Sequence, residues 1–177
     1  MPIIGETKIR FSRSYIWLNP DSTTGPGTWR LTSEDIDSSG DEPTPSEFYS
    51  SATVRSDTAT IEQNQLIYID DSGFAGLADA SSITTGRVAG VAVSSATANT
   101  QVTYARNQPI TITNVAAIVD TAPASLEAGR YYWLSATNPG NYTRTPDTTT
   151  SGAVLVQVGL ALSSNEFTIE IQNPVVI

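Results

Sequence analysis

The sequence predicts an all-β protein: a compact antiparallel barrel or sandwich with an internally duplicated strand pattern, preceded by an extended N-terminal arm. From about residue 48 onwards, short runs rich in Val, Ile, Thr and Tyr alternate with turn residues, which is typical of sandwiches and barrels. Only residues 125–129 have the composition of a helical turn, which Gly129 would end. A chain of 177 residues buries roughly 70% of its unfolded surface, so a core needs no disulfide or metal.

Residues 1–33 form the predicted arm, and two interpretations of it remain open. In the first, the segment is a hairpin that turns between Asn19 and Gly27, and its aromatic face covers the core of the body. Four of its apolar residues have the same parity, with Arg13 interrupting them. They are Ile9, Phe11, Tyr15 and Trp17.

In the second interpretation, the arm adds to the sheet edge of a neighbouring subunit and uses aromatic and arginine side chains as anchors. The charge distribution favours it, because residues 1–30 carry four basic and two acidic groups, whereas residues 31–177 carry five basic and sixteen acidic groups. The candidate partner-binding residues are Arg10, Arg13, Tyr15, Trp17, Trp29 and Arg30.

An acidic linker is predicted at residues 34–47, where carboxylates are interrupted by Gly and Pro. Its acidic residues could bind calcium through oxygen ligands, but they lack the spacing of an EF-hand loop. We therefore expect a solvated linker and no metal site.

The body is predicted at residues 48–177, as strands separated by turns. Asp70 and Asp71 precede Ser72-Gly73 and are expected to stabilise a turn. Gly90 interrupts a strand and is expected at a bulge or at a close approach of two backbones. The predicted strands are 66–69, 87–93, 102–105, 109–112, 131–134, 154–158, 160–162 and 167–171.

The body contains an internal repeat. The strand at 66–69, followed by Gly73, resembles the strand at 131–134, followed by Gly140, with an offset of 65 residues. Residues 90–95 match residues 159–164 with an offset of 69. Two copies indicate one duplicated barrel or sandwich, or two similar small ones, with halves at 48–113 and 114–177.

Composition excludes several function classes. The chain has no Cys and no His, so it has no disulfide, no zinc or haem site of the usual kind, and no Cys- or His-based nucleophile system. Carboxylates remain as catalytic candidates, but no motif arranges them. We therefore predict no catalytic residue, no cofactor and no metal. The net charge of −9 argues against nucleic acid, and without 18 consecutive apolar residues or a signal peptide pattern we expect no membrane contact.

Several stretches resemble a pattern of small structural proteins of tailed bacteriophages, above all capsid decoration (cement) proteins and also fibre-associated modules. The resemblance covers roughly residues 60–177, and the first 50 residues have no part in it. The stretches are residues 65–80, 85–92, 126–135 (which includes Gly129-Arg130-Tyr131-Tyr132-Trp133-Leu134-Ser135), 139–146, 156–163 and 173–177.

The resemblance implies a non-enzymatic protein on the outer capsid surface of a virion. Its partners would be the major capsid protein and further copies of the chain, as homotrimers between capsid subunits. The alternative that the resemblance leaves open is a head- or tail-fibre module that binds a host surface glycan through exposed aromatic residues such as Tyr142.

Overall fold

The structure is a computed structural model, and the chain divides into two compact units, Met1–Glu47 and Phe48–Ile177. Among the described residues, every regular element is a strand except one helix of four residues, so the predicted all-β class is confirmed. The acidic linker at 34–47 lies outside the described residues. The residues that the structure describes are 7–10, 13–18, 28–31, 49–120 and 125–177.

The first unit contains a three-stranded antiparallel sheet of β1 (Thr7–Arg10), β2 (Arg13–Leu18) and β3 (Thr28–Leu31). The chain reverses between β1 and β2, which exchanges parities: Ile9 lies opposite Ser14, and not on the face to which Tyr15 belongs. The expectation that Ile9 shares a face with Tyr15 is therefore wrong, because alternation holds only within one strand. Phe11 lies outside the described residues.

The first half of the second unit contains a closed five-stranded barrel. Its strands occur in the order β10-β4-β7-β6-β8. Every pair is antiparallel except β4–β7, where Val54 lies beside Ala75 on a parallel strand, so the barrel is closed by one parallel pair. The elements are β4 (Tyr49–Val54), β5 (Thr60–Ile61), β6 (Leu66–Ile69), β7 (Phe74–Leu77), β8 (Val88–Ala92), β9 (Ala96–Thr97) and β10 (Gln101–Ala105).

The second half contains a six-stranded sheet in the order β11-β17-β16-β13-β14-β12, beside a two-stranded sheet of β15 and β18. The elements are β11 (Pro109–Thr111), α1 (Val115–Ile118), β12 (Val119–Asp120), β13 (Tyr131–Leu134), β14 (Tyr142–Thr143), β15 (Val154–Leu155), β16 (Gln157–Ala161), β17 (Glu166–Ile169) and β18 (Val175–Val176).

The helix is not where the sequence placed it. It occupies Val115–Ile118, whereas the predicted helical segment at 125–129 forms a turn. The amide of Leu126 bonds to the carbonyl of Ser164, and the amide of Gly129 bonds to that of Ala161. Because both amides bond to carbonyls between residues 161 and 164, they do not form the hydrogen bonds of a helix.

The predicted repeat is confirmed at the level of single hydrogen-bonded positions. In the first half, β6 pairs with β8, and the register shifts by one residue where Ile67 faces Gly90. In the second half, β13 pairs with β16, and the same shift occurs where Tyr132 faces Gly159. The offsets are the 65 and 69 residues seen in the sequence. Each glycine thus lies at a β-bulge, as expected for Gly90.

The correspondence extends to the strands on either side. Val54 lies beside Ala75 on the parallel pair β4–β7, and Val119 lies beside Tyr142 on the parallel pair β12–β14. The role of β4 is divided in the second half between β11, which pairs with β17, and β12, which pairs with β14. Helix α1 separates these two pieces. The six-stranded sheet is therefore a second copy of the barrel, whose closing strand is interrupted.

The two copies fill the same frame differently. The first barrel has a mainly aliphatic interior that includes Val54, Ile67 and Ala75, with Tyr104 as its aromatic member. At the positions of Ile67 and Ala75, the second copy has Tyr132 and Tyr142, which are fully buried. These two rings pack edge-on against Phe167, with centroids 6.0 and 5.4 Å away. Aromatic burial of this kind is a large contribution to a small core.

Candidate functional site

Five of the six candidate partner-binding residues occupy one face of the N-terminal sheet by register. Trp17 lies opposite Trp29 on the neighbouring strand, and Arg10 lies opposite Arg13. Arg13, Tyr15 and Trp17 alternate along β2, and alternate positions of a strand share a face. The register therefore brings three aromatic and two basic positions together, and this grouping depends on the turn between β1 and β2.

Arg30 is the exception among the six. It lies opposite Ile16, and both positions belong to the other face of the sheet. The hairpin of the first interpretation exists, since β2 and β3 pair across residues 19–27. The role of this sheet as an interface stays a prediction.

The adjacent carboxylates at 70 and 71 belong to a turn, as predicted. Asp70 Oδ1 accepts hydrogen bonds from the amides of Ser72 and Phe74, each at 2.9 Å. Gly73 follows with φ of +84°, in the left-handed region that glycine tolerates. Asp70 is thus used by the turn.

Asp70 also faces Arg55, which binds three side chains on the outer wall of the first barrel. Its guanidinium lies 3.1 Å from Asp70 Oδ2 and 2.7 Å from Asp57 Oδ2, and it donates to the Tyr68 hydroxyl at 3.2 Å. The hydrogen bond with Asp57 raises the pKa of Arg55 and lowers that of Asp57. Arg55, Asp57 and Tyr68 line a groove of about 400 Å³, and Arg55 is paired with both Asp57 and Asp70.

The equivalent place in the second copy has the opposite charge. Asp120 stands 65 residues after Arg55, and it accepts hydrogen bonds from the Ser135 hydroxyl, from Asn138 Nδ2 at 2.8 Å and from Asn141 Nδ2 at 3.0 Å. The two copies have therefore diverged on their surfaces as well as in their cores.

Two arginines without an ion-pair partner lie together in a groove of about 380 Å³. Arg87 and Arg106 line it with residues 171–174. Arg106 donates to the carbonyl of Ala89, and its guanidinium lies 5.6 Å from the ring centroid of Tyr104. Within the described part of the chain, neither arginine has a carboxylate within ion-pair distance. This groove is a positively charged site on a body with five arginines and ten acidic residues.

An aromatic and aliphatic surface on the second copy was not predicted as a functional site. Tyr131 is 49% exposed and Leu162 is 48% exposed. Tyr131 also lines a groove of about 480 Å³, together with Trp133, Arg130 and Arg144. Both arginines pair with Glu127. The available signal was the run Tyr131-Tyr132-Trp133-Leu134, which is apolar at both parities, a pattern typical of a strand covered on both faces.

Tyr142 does not have the exposure that the glycan-binding alternative requires. Its side chain is fully buried, and its hydroxyl donates to the carbonyl of Asn64 at 2.9 Å. Burial raises the pKa of this phenol. The expectation of an exposed Tyr142 is wrong, because its strand position points into the second barrel, against Phe167.

The loop around Asp147 gives a pH prediction. Hydrogen bonds from the Thr150 hydroxyl, and from the amide and hydroxyl of Thr149, lower the pKa of Asp147 from 3.8 to about 2. The folded loop therefore binds fewer protons than the unfolded chain, and its stabilisation is complete above pH 3.8 and lost as the pH falls through 2. We expect an NMR titration of the Asp147 carboxyl to have its midpoint near 2.

Removing the donors supplies the control for this titration. In the double variant Thr149→Val, Thr150→Val, the midpoint should move up towards 3.8. A midpoint near 3.8 in the unmodified chain would contradict the loop geometry. The carboxyl is exposed, so the effect on the free energy of unfolding is small.

Within residues 49–120 and 125–177, and the strands of the first unit, no group of three or more acidic residues could hold a metal ion. In the same described part of the chain, no helix is long and apolar enough to cross a bilayer.

The fold defines a class: an all-β protein made of two copies of one small barrel. Comparison with known proteins adds no relative, since no family model and no curated protein matches the chain.

Proposed function

We propose that the chain is a non-enzymatic structural protein of a bacteriophage virion, which binds the outer capsid surface and joins neighbouring major capsid subunits. One observation carries the proposal. Most of the stretches that resemble decoration proteins contain equivalent strands of the two barrel copies: residues 65–80 and 85–92 in the first, and residues 126–135, 139–146 and 156–163 in the second. The resemblance therefore applies to both copies of the barrel, which is the structural unit of the protein.

The composition of the described surfaces supports a binding role. The carboxylates of the body that lie beside other polar side chains, such as Asp57, Asp70 and Asp120, accept hydrogen bonds from arginine, hydroxyl or amide groups. A negative body remains soluble at high concentration and is repelled by nucleic acid, as suits the exterior of a shell. In this proposal, the N-terminal sheet supplies the inter-subunit contact, tethered through the acidic linker.

The test uses the cross-strand tryptophan pair. Purified protein is mixed with expanded, undecorated heads, and bound copies are counted by quantitative gel analysis of sedimented particles. We expect the double variant Trp17→Ala, Trp29→Ala to bind at least about 30-fold more weakly, since loss of an aromatic anchor costs about 2 kcal/mol or more.

A matched control lies on the other face of the same sheet. Ile16 and Arg30 form the adjacent cross-strand pair, so the variant Ile16→Ala, Arg30→Ala removes comparable side chains and should bind within about threefold of the unmodified chain. If the unmodified protein does not bind heads, the proposal is wrong. If only the control variant loses binding, the face assignment is wrong.

The glycan-binding alternative has lost the residue on which it was based, because Tyr142 is buried. Binding of the unmodified protein to a host polysaccharide on a glycan array, without binding to heads, would favour it.

A further inference from the structure

The barrel copies differ in whether one particular face is covered. In the first copy, alternate residues of β6, β8 and β10 point outward, and we call Leu66, Tyr68, Val91 and Ala105 the first outer face. They belong to the large hydrophobic cluster of the second half, whereas their neighbours Ile67, Ala92 and Tyr104 belong to the interior of the first barrel. All four residues of the first outer face are buried.

A loop of the second copy lies at one edge of this face, against the ends of β6 and β7 around Leu66 and Ala78. We call residues 135–141 the second loop. The amide of Leu66 donates to the carbonyl of Gly140 at 2.8 Å, and the amide of Gly140 donates to the carbonyl of Ala78 at 2.7 Å. A Cβ atom on Gly140 would lie 2.8 Å from the Leu77 side chain, which shows how closely the loop and the barrel approach. Next to this loop, Tyr142 donates to the carbonyl of Asn64.

Each of these two surfaces has an equivalent in the other copy. The second outer face is Tyr131, Trp133, Leu160 and Thr168, which occupy the register positions of the four residues of the first outer face. The first loop is residues 70–73 between β6 and β7, taken together with Phe74 at the start of β7, and the second loop lies in the same way between β13 and β14. Gly73 and Gly140 have φ of +84° and +81°, and Asp70 and Ser135 both accept the amide two residues on.

These equivalent surfaces are not used within the chain. Tyr131 is 49% exposed, and the other three residues of the second outer face are partly exposed. In the first loop, Asp71 and Phe74 are exposed, Phe74 by 42%. The contact inside the chain therefore joins two different surfaces, the edge of an outer face at Leu66 and a loop. It uses the edge from the first copy and the loop from the second.

We propose that the second outer face binds the first loop of a second copy of this chain, repeating between molecules the contact that joins the two barrels within one. A contact between two different surfaces is heterologous, so it continues from copy to copy until the rotation closes a ring or extends a filament. The proposal concerns contact between copies and does not depend on the capsid as a binding surface.

The chemistry of the two surfaces is complementary. The first loop carries the exposed carboxylate of Asp71 and the exposed ring of Phe74. The second outer face offers the rings of Tyr131 and Trp133, with Arg130 and Arg144 lining the same groove. Aromatic and arginine residues are enriched at the centres of protein interfaces. Both arginines already pair with Glu127, so the aromatic rings supply the main contact.

The test measures the mass of the full chain by analytical ultracentrifugation over a concentration series. We expect assemblies larger than the monomer. Phe74→Glu in the first loop and Tyr131→Glu on the second outer face should each weaken association at least about tenfold, because each places a charge in a desolvated contact. Val176→Glu is the control, since Val176 is 56% exposed and lies outside both surfaces, and it should assemble like the unmodified chain.

A mixture of the two variants gives the sharpest readout. Phe74→Glu retains an intact outer face, and Tyr131→Glu retains an intact loop, so an equimolar mixture has one intact contact per pair. It should form a heterodimer and stop there, while each variant alone is monomeric. A symmetric contact would instead be weakened in the mixture as in each variant alone.

Three outcomes overturn the proposal. The first is an unmodified chain that remains monomeric at the highest concentration that stays in solution. The second is an oligomer that survives both substitutions, and the third is a variant mixture with no heterodimer. Head binding can succeed or fail in any of these cases, so the two proposals are tested separately.

Discussion

Phe167→Ala is expected to lower the free energy of unfolding by about 3–5 kcal/mol. The Phe167 side chain is fully buried and is the ring on which both buried tyrosines of the second barrel pack. Its removal leaves a cavity that the rigid rings of Tyr132 and Tyr142 cannot close, so the cost includes both lost burial and unfilled volume. Chemical denaturation, followed by tryptophan fluorescence and by circular dichroism, measures the change.

Phe74→Ala is the matched control for this substitution. The same side chain is removed, but from the first residue of β7, where it is 42% exposed, so the free energy of unfolding should fall by only about 1 kcal/mol. Equal losses at the two positions would contradict the assignment of Phe167 to the core. If the Phe167 variant does not fold, Phe167→Leu keeps most of the volume and should lose less.

Gly159→Ala is expected to cost about 3 kcal/mol. A Cβ atom at this position would lie 2.0 Å from the carbonyl oxygen of Thr168 and 2.7 Å from the Phe167 ring. Neither a paired backbone carbonyl nor a packed ring can move away cheaply, and overpacking of this kind costs 1–3 kcal/mol or more. Thermal and denaturant unfolding of the variant would measure it.

The repeat supplies a second test of the same idea. Gly90→Ala would place a Cβ atom 2.5 Å from the carbonyl oxygen of Ala105, the equivalent contact in the first barrel, and should be destabilising for the same reason. Gly152→Ala has open space around it but a φ of +87°, so it should cost only the about 1–2 kcal/mol of a left-handed residue. A smaller loss at Gly159 than at Gly152 would refute the steric explanation.

The duplication explains why one chain has two differently used copies of a barrel. Where the first copy has Ile67 inside, the second has Tyr132, and where the first has Arg55 on its surface, the second has Asp120. The pairing of strands is nevertheless maintained, including the bulge at Gly90 and Gly159. Hydrogen-bond register and glycine positions therefore preserve the frame, while side chains are free to diverge. The proposed contact between copies depends on this preserved frame.

Much of the fold could be predicted from short stretches of sequence. The strands, the Asp70 turn and the bulge at Gly90 each depend on residues that are close together in the chain. The repeat was found by matching two such local patterns. Turn geometry and the alternation of side chains are local properties. For that reason, the sequence by itself determined the all-β class and the presence of two related halves.

The tertiary structure decided which of these local features are covered and which are exposed. Tyr142 and Tyr131 are both strand tyrosines, and nothing local tells them apart, yet the first is buried and the second is half exposed. Other features also depend on segments that are distant in the chain or that reverse direction. They are the parallel closing pairs, the interruption of the closing strand by α1 and the grouping of Trp17 with Trp29. The burial of a side chain depends on which residues from elsewhere in the chain pack against it. The physical reason is that hydrophobic contacts form between any apolar surfaces that meet, whatever their separation in the sequence.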